Sequence, residues 1–260
     1  MYVYVAAHRG NVDGFPENSM LAFQAAYEVG VDMIETDIRM TKDGEIVLMH
    51  DESLNRTSDI DGVISEMTFD EIMKADIGIK TAQRFKGIKV PTLRELFEYA
   101  RRDNVMTFNL EFKDYFKNKG EVFAKICADK IISLVEEYRL GDRCIVNSFD
   151  GAVLKYIDDK YEHRYRIHGF YPFEILGDIY PPMFCACLWH RSEADLPRSL
   201  YPEEDYKKLI SLGIEPWVGA SVDSEEDILA AVNCGARLFT TNRPKHVIEI
   251  LEKHKLRNKE

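Results

Sequence analysis

The sequence has few cysteines, and they do not form a disulfide framework. The five are an odd number scattered through apolar surroundings, a pattern typical of reduced core thiols rather than of a disulfide-stabilised secreted protein. The spacing Cys185-x-Cys187-x-x-His190 resembles half of a zinc site, but no second Cys/His pair at zinc spacing accompanies it. We interpret Cys185 and Cys187 as two thiols on one face of a buried strand.

Long apolar runs and an excess of basic residues are also missing. No run reaches the about 20 apolar residues that cross a bilayer, and the start, MYVYVAAHRG, lacks the regions of a signal peptide. The chain has 34 Lys and Arg against 45 Asp and Glu, a net charge of -11, which repels nucleic acid and anionic membranes. We expect a cytoplasmic protein with no nucleic-acid partner and no stable membrane insertion. The oligomeric state stays open.

Short β-rich runs alternate with helical patterns along all 260 residues. Helical periodicity marks segments such as 19–30, 92–102, 121–139, 203–213 and 224–235. The eight strand candidates are 2–8, 32–40, 105–113, 144–149, 164–171, 184–189, 215–222 and 237–241. Eight alternations in this length predict a (β/α)8 barrel, which we take as one catalytic domain, 1–260. A doubly wound open sheet is the alternative.

One region interrupts this alternation. Asp43-Gly44 lies between two apolar runs, as a hairpin turn does. About forty residues then pass before VPTLRELF resumes the helical pattern, so we interpret 51–90 as an insertion within the barrel. Its Asp59-x-Asp61-Gly62 lacks the later acidic ligands of a calcium loop and is interpreted as a solvated turn.

Acidic side chains cluster toward the ends of two predicted strands. Residues two apart on a strand point to the same face, so Glu35 and Asp37 project together, as do Asn109, Glu111 and Lys113. In a barrel, active sites are built at the carboxyl ends of the strands. Converging carboxylates repel one another unless a cation lies between them.

Oxygen ligands favour a hard divalent cation, so we predict one Mg2+ or Ca2+ held by Glu35, Asp37 and Glu111. The alternative is that these acids only form ion pairs, at the barrel rim, with the nearby cations Lys113, Arg39 and Arg9.

Two histidines are expected at the same mouth. His8 directly follows the first strand, and His50 closes the hairpin after the second. Two histidines can divide a phosphoryl transfer, one accepting a proton from the nucleophile and the other protonating the leaving oxygen. Arg9 and Lys113 are suited to bind a phosphate group in an otherwise acidic protein.

Several motifs together resemble the glycerophosphodiester phosphodiesterase family, in order and over nearly the full length. The match is specific up to residue 113 and weaker after residue 150. The runs that carry it are AHRG (7–10), PENSMLAFQAA (16–26), IETDIRMTKDGEIVLMHDESLNRT (34–57), VPTLRELF (90–97), NLEFK (109–113), NSFD (147–150) and GARLFTTNRP (235–244).

The resemblance implies a metal-dependent hydrolase on a (β/α)8 barrel that cleaves glycerophosphodiesters to glycerol 3-phosphate and an alcohol. It places the family's inserted region on 51–90. Carried over residue by residue, the family's histidines fall on His8 and His50, its metal carboxylates on Glu35, Asp37 and Glu111, and its phosphate-binding cations on Arg9 and Lys113.

The late part of the chain departs from the family's pattern. Ala220 and Asp223 stand where the family has Trp and Asn, and Asn242 replaces an Asp, which leaves the alcohol group of the substrate open. A lysophospholipase D-type hydrolase, a non-catalytic phosphodiester-binding barrel, and a metal-dependent lyase or isomerase are the alternatives. For the loop residue Arg56, a solvated position is favoured over a phosphate contact. Glu17 is interpreted as part of a helix start, with a substrate or supporting contact as the alternative.

Overall fold

The computed structural model of the protein describes residues 2–188 and 202–257. Eight parallel strands form a closed barrel, because β1 pairs with both β2 and β9. The predicted (β/α)8 fold is thus confirmed. The barrel strands are β1 (Tyr4–Ala7), β2 (Met33–Met40), β4 (Thr107–Phe112), β5 (Cys144–Asn147), β6 (Arg166–Tyr171), β7 (Cys185–Leu188), β8 (Glu215–Val218) and β9 (Leu238–Thr241).

All eight predicted strands are present, each shorter than its apolar run. The first run ends at Ala7 because His8 and the residues after it turn into a loop. The short strand β3 (Ile46–Leu48) pairs antiparallel with the end of β2, as the hairpin prediction required. Gly44, at φ 90°, supplies the left-handed conformation of that turn.

Helices cover the outside of the barrel. They are α1 (Met20–Val29), α2 (Phe69–Ile72), α3 (Leu93–Ala100), α4 (Phe116–Lys119), α5 (Glu121–Glu137), α6 (Gly151–Lys160), α7 (Glu203–Ser211), α8 (Glu225–Cys234) and α9 (Pro244–Lys253). The connection from β6 to β7 has only a 3-10 turn, Phe173–Leu176, in place of an α-helix. Among the described residues, no helix is both long and apolar enough to cross a bilayer.

The barrel interior changes from apolar to polar toward the carboxyl ends of the strands. Its lower layer is a cluster of buried apolar residues from six strands: Ala6, Met33, Ile145, Cys185, Trp217 and Leu238. Because side chains alternate along a strand, the inward positions two residues later hold polar groups such as His8, Glu35 and Asn147. A dry apolar layer therefore lies directly beneath the polar mouth.

The predicted insertion after β3 has a small hydrophobic cluster of its own. Leu54, Ile64, Ile72 and Ile77 pack there against Val47 from the hairpin. Two 3-10 turns (Ile64–Glu66 and Gln83–Phe85) and α2 are its only regular elements among the described residues. That the whole chain acts as one catalytic domain stays a prediction.

The cysteine interpretation is confirmed for the thiols that the structure describes. Cys185 and Cys187 lie on β7 as free, buried thiols. His190, the third member of the half-site considered above, lies outside the described residues.

Candidate active site

The loop after β1 presents His8 and Arg9 at the barrel mouth through an unusual backbone path. Arg9 and Gly10 both have left-handed φ angles, 56° and 84°. A Cβ on Gly10 would lie 2.8 Å from the backbone carbon of Ala22 in α1, so this position requires glycine. The backbone N–H of Asn18 also donates to the Arg9 carbonyl over 3.0 Å, which fixes the loop further.

We predict that Gly10→Ala destabilises the fold by about 3 kcal/mol, because the added methyl group meets backbone atoms and L side chains disfavour this φ. Gly30→Ala is the matched control: its φ is 76°, but no described atom lies within 4 Å of an added Cβ. The control is expected to cost only about 1 kcal/mol. Urea unfolding of both variants measures the difference, and equal costs would contradict the role of the Ala22 contact.

The predicted acidic residues do converge. Glu35 and Asp37 lie on β2 and Glu111 on β4, and one carboxylate oxygen from each falls within 4.8 Å of the others. Register explains this, since Asp37 pairs directly with Glu111. The three residues are at most 5% exposed.

The two predicted cations lie against this acidic cluster. Lys113 Nζ is 3.1 Å from Asp37 Oδ1 and also bonds Glu111. Arg9 Nε is 3.2 Å from Asp37 Oδ2, and the Arg9 backbone N–H donates to Glu35 Oε2 over 2.8 Å. The ion-pair alternative is therefore realised for Asp37 and Glu111, but Glu35 receives no cationic side chain within ion-pair distance among the described residues.

Arg39, the third cation of that alternative, has another role. Its guanidinium donates to the His50 carbonyl (2.8 and 3.1 Å) and pairs with Asp114 at 3.1 Å. It therefore fixes the backbone of the hairpin end that carries His50, and its partner is Asp114 rather than the acidic cluster.

The electrostatics of the three acids differ. Burial, with Asp37 and Glu111 nearby, raises the pKa of Glu35 well above its ordinary value. Burial also raises the pKa of Glu111, against the opposing effect of Lys113. For Asp37 burial acts in the same direction, but the Lys113 ammonium and the Arg9 guanidinium outweigh it and lower the pKa.

The acidic cluster fits a divalent cation. Among the described residues Glu35 Oε1 is buried without a hydrogen-bond partner, an arrangement that is costly unless a ligand occupies the place. Three carboxylates also outnumber the two cations beside them. The donors are all carboxylate oxygens, which suit Mg2+ or Ca2+.

His8 lies at the mouth beside Arg9. Its Nδ1 is 2.7 Å from Asn242 Oδ1, after β9. A carboxamide oxygen only accepts, so Nδ1 donates and Nε2 keeps its lone pair. Burial and the Arg9 guanidinium lower the pKa of His8 to about 4, which leaves the ring neutral near pH 7.

His50 has a different partner. Its Nδ1 is 2.6 Å from Asp51 Oδ1, and its side chain is 32% exposed. Burial lowers the pKa of His50, while the Asp37 and Asp51 carboxylates oppose that shift. A carboxylate partner stabilises the imidazolium form more strongly than the neutral amide oxygen that faces His8.

Two further residues of this region were not predicted as site residues. Asn18 donates from Nδ2 to Asp37 Oδ2 over 2.8 Å, while its neighbour Ser19 caps α1. Asn242 was noted only as a departure from the family's pattern. The position of that departure, in the loop after the last strand, was the available signal, but its contact with His8 depends on barrel closure.

A cleft of about 490 Å3 opens beside His8 and Arg9. Val12, Asp13 and Glu17 line one side, and Asn242 and Arg243 line the other. Asp223, which stands where the family has Asn, pairs with Arg243: its Oδ2 lies 3.4 Å from Arg243 Nη1. Residues from both ends of the chain thus border the space next to His8.

A buried carboxylate cluster, two cations and two imidazoles lie where the parallel strands end, an arrangement that fits a hydrolase. The model of the glycerophosphoryl diester phosphodiesterase family matches residues 8–171. A glycerophosphodiester phosphodiesterase of Caldanaerobacter subterraneus is 32% identical over 97% of this chain and 99% of its own. The chain therefore belongs to the glycerophosphoryl diester phosphodiesterase family.

Solved structures agree on the fold. A putative family member from Silicibacter pomeroyi superposes with a TM-score of 0.79 at 23% identity, covering 98% of this chain and 95% of that one. A phosphodiesterase from Oleispira antarctica, solved in complex with the product sn-glycerol-3-phosphate, also gives a TM-score of 0.79, at 20% identity and 96% coverage of both chains.

Proposed function

We propose that the protein hydrolyses glycerophosphodiesters to glycerol 3-phosphate and an alcohol, with one divalent cation, Mg2+ or Ca2+, and two histidines as acid and base. The observation that carries this proposal is the unpartnered, buried Glu35 oxygen in an acidic cluster flanked by His8 and His50. The relative from Caldanaerobacter, named for this activity, and the glycerol 3-phosphate bound to the Oleispira enzyme support it.

Glu35, Asp37 and Glu111 would hold the cation, which when bound supplies positive charge to the phosphate oxygens. Arg9 and Lys113 provide further positive charge next to this cluster. They bind the diester phosphate and stabilise the charge that builds up on its oxygens during transfer.

The partners of the two histidines favour different roles. His8, neutral and with Nε2 free to accept, takes a proton from the attacking water or from a neighbouring glycerol hydroxyl. His50, whose protonated form is stabilised by Asp51, gives a proton to the leaving oxygen. With water, one P–O bond forms to the water oxygen and one P–O bond to the alcohol breaks. When the hydroxyl attacks, a cyclic phosphate forms first and water then opens it.

The first experiment measures glycerol 3-phosphate release by EDTA-stripped protein from a panel of diesters, with Mg2+ or Ca2+ added back. The panel contains the choline, ethanolamine and glycerol diesters. It also contains lysophosphatidylcholine, for which choline release is measured, because a lysophospholipase D would leave lysophosphatidate rather than glycerol 3-phosphate. We expect no turnover without metal and recovery on adding it back, because without the cation the carboxylate cluster repels the anionic phosphate group.

Glu35→Ala is expected to remove this recovery, and Asp61→Ala, at an exposed acid in the insertion, is the matched control. Full activity after metal removal would contradict the proposal. Metal binding without turnover of any diester would favour the phosphodiester-binding alternative. The cytoplasmic location and the absence of a nucleic-acid partner stay predictions.

A further inference from the structure

One side chain of the insertion reaches the mouth of the barrel. Arg56 Nη1 donates to Glu17 Oε2 over 2.8 Å and Nη2 donates to Glu17 Oε1 over 2.6 Å. Its Nε donates to Asp51 Oδ2 over 2.5 Å. A single guanidinium therefore joins the β1–α1 loop to the hairpin end that carries His50.

Each of these carboxylates touches a group of the proposed mechanism. Asp51 presents its other oxygen to His50 Nδ1 at 2.6 Å. Glu17 Oε1 lies 3.1 Å from Nη1 of Arg9, the residue that also contacts Asp37. Asp51 thus lies between Arg56 and His50, the proposed proton carrier. Glu17 lies between Arg56 and Arg9, the proposed phosphate-binding cation.

The charges explain how the contacts of Arg56 affect Arg9. Glu17 and Asp37 both contact the Arg9 guanidinium, at Nη1 and Nε respectively. Arg56 pairs with both oxygens of Glu17 in a bidentate arrangement. Without that pair, Glu17 would have only Arg9 as a cationic partner among the described residues. Arg9 would then be drawn away from Asp37 and the phosphate position.

The same guanidinium fixes the rotation of Asp51. A carboxylate on an exposed loop samples several rotamers unless a second contact holds it. Arg56 is 48% exposed, so each of its ion pairs alone contributes little to stability. Instead, its planar guanidinium, bound to two carboxylates, fixes the positions of those carboxylates relative to each other.

We propose that Arg56 is a positioning residue, an inference that rests on the proposed function. It keeps Asp51 hydrogen-bonded to His50, and it weakens the electrostatic attraction of Glu17 for the Arg9 guanidinium. It does not bind the substrate itself. Its Nε, Nη1 and Nη2 each donate to a carboxylate that lies between Arg56 and a group of the proposed mechanism.

The test compares Arg56→Ala with a matched arginine of the same insertion. Arg84 also reaches the β1–α1 loop, through the Gly14 carbonyl at 3.3 Å, but it does not contact Glu17 or Asp51. Arg56→Ala is expected to lower kcat by about tenfold, the lower end of the usual cost of losing the outer partner of a functional histidine, because Arg56 acts on His50 through Asp51. We expect KM to change by less than about threefold and Arg84→Ala to keep wild-type kinetics.

Two readouts separate positioning from a structural role. Added guanidinium ion is expected to restore part of the kcat of Arg56→Ala but not that of Asp51→Asn. The losses of Arg56→Ala and Asp51→Asn are expected to be less than additive in the double variant, because both act through His50. Thermal unfolding of Arg56→Ala shows whether the insertion still folds, and Arg56→Lys, which keeps the charge but not the fork, is expected to recover little.

Three outcomes would overturn the proposal: kcat of Arg56→Ala within about twofold of wild type, an equal loss in Arg84→Ala, or a KM increase with kcat unchanged, which would mean direct substrate binding. If the wild-type protein turns over no diester, the proposed function fails, and NMR of the His50 Nδ1–H proton decides this inference. An unchanged Nδ1–H resonance in Arg56→Ala would then contradict it, whereas loss of its hydrogen-bonded shift, with Arg84→Ala unchanged, would support it.

Discussion

Glu35→Gln is expected to abolish turnover and at the same time to stabilise the metal-free protein. Glu35 is buried between Asp37 and Glu111, and its pKa is raised because its charged form is unfavourable there. A neutral amide removes this repulsion and can still accept from the Arg9 N–H. We expect a gain of about 1–3 kcal/mol in the free energy of unfolding without metal, and a loss of cation binding that calorimetry with Ca2+ measures.

The pH dependence has a definite sign. A carboxyl group whose folded pKa is raised binds its proton more tightly when folded, so stability falls as pH rises from its unfolded pKa through its folded pKa. The advantage of Glu35→Gln over the metal-free wild type should therefore widen from pH 5 to pH 8. Thermal unfolding across this range measures it, and a constant difference would contradict the assignment.

Asp37→Asn is the control and should behave in the opposite way. The Asp37 carboxylate is stabilised by Lys113, Arg9 and the Asn18 side-chain amide. Neutralising it removes one of the two carboxylate partners of each cation, so among the described residues Lys113 keeps only Glu111 and Arg9 keeps only Glu17 as ion-pair partners. We expect a destabilisation of about 3 kcal/mol, along with loss of activity. Equal stability changes in Glu35→Gln and Asp37→Asn would mean that the two carboxylates share one environment, contrary to their contacts.

His8→Ala and His50→Ala are each expected to lower kcat by at least about 10²-fold, the usual lower range for loss of a general acid or base. His163→Ala is the matched control, because His163 is 71% exposed and pairs with Asp158. It should leave kcat unchanged. Steady-state kinetics with the best diester of the panel provides the measurement, and a His50→Ala variant that keeps most of its activity would remove that residue from the mechanism.

A change of leaving group distinguishes the two roles. A nitrophenyl diester releases an alcohol that needs no proton, so it should restore much of the activity of His50→Ala, the variant without the general acid. It should not restore His8→Ala, which lacks the base. Recovery of His8→Ala instead would reverse the assignment, and recovery of neither would place both histidines in binding rather than in proton transfer.

The candidate site was predictable from sequence where residues lie close along the chain. Glu35 and Asp37 share a strand face, and the hairpin at Asp43-Gly44 brings His50 back beside that strand. Glu111 was predicted because its own strand has the same polar ending, and parallel register then placed it beside Asp37. These are local patterns, so their consequences follow from strand alternation and chain direction alone.

Helix α6 shows where local patterns were too weak. Its sequence, GAVLKYIDDK, begins with glycine and ends in charged residues, and it was not among the segments named for helical periodicity. In the structure Asp150 caps its start by accepting from the Ala152 N–H, and Val153, Leu154 and Ile157 are buried. Tertiary packing therefore stabilises a helix that intrinsic propensity barely favours.

Strand alternation and residue order were enough to predict the barrel and the acidic strand ends, and they place two histidines where the site is proposed. The tertiary structure decided which partner each group meets: Asn242 for His8, Asp51 for His50, and Arg56 between Asp51 and Glu17. The physical reason is distance along the chain. His8 and Asn242 are 234 residues apart, and no local periodicity reports a contact that exists only because the last strand pairs with the first.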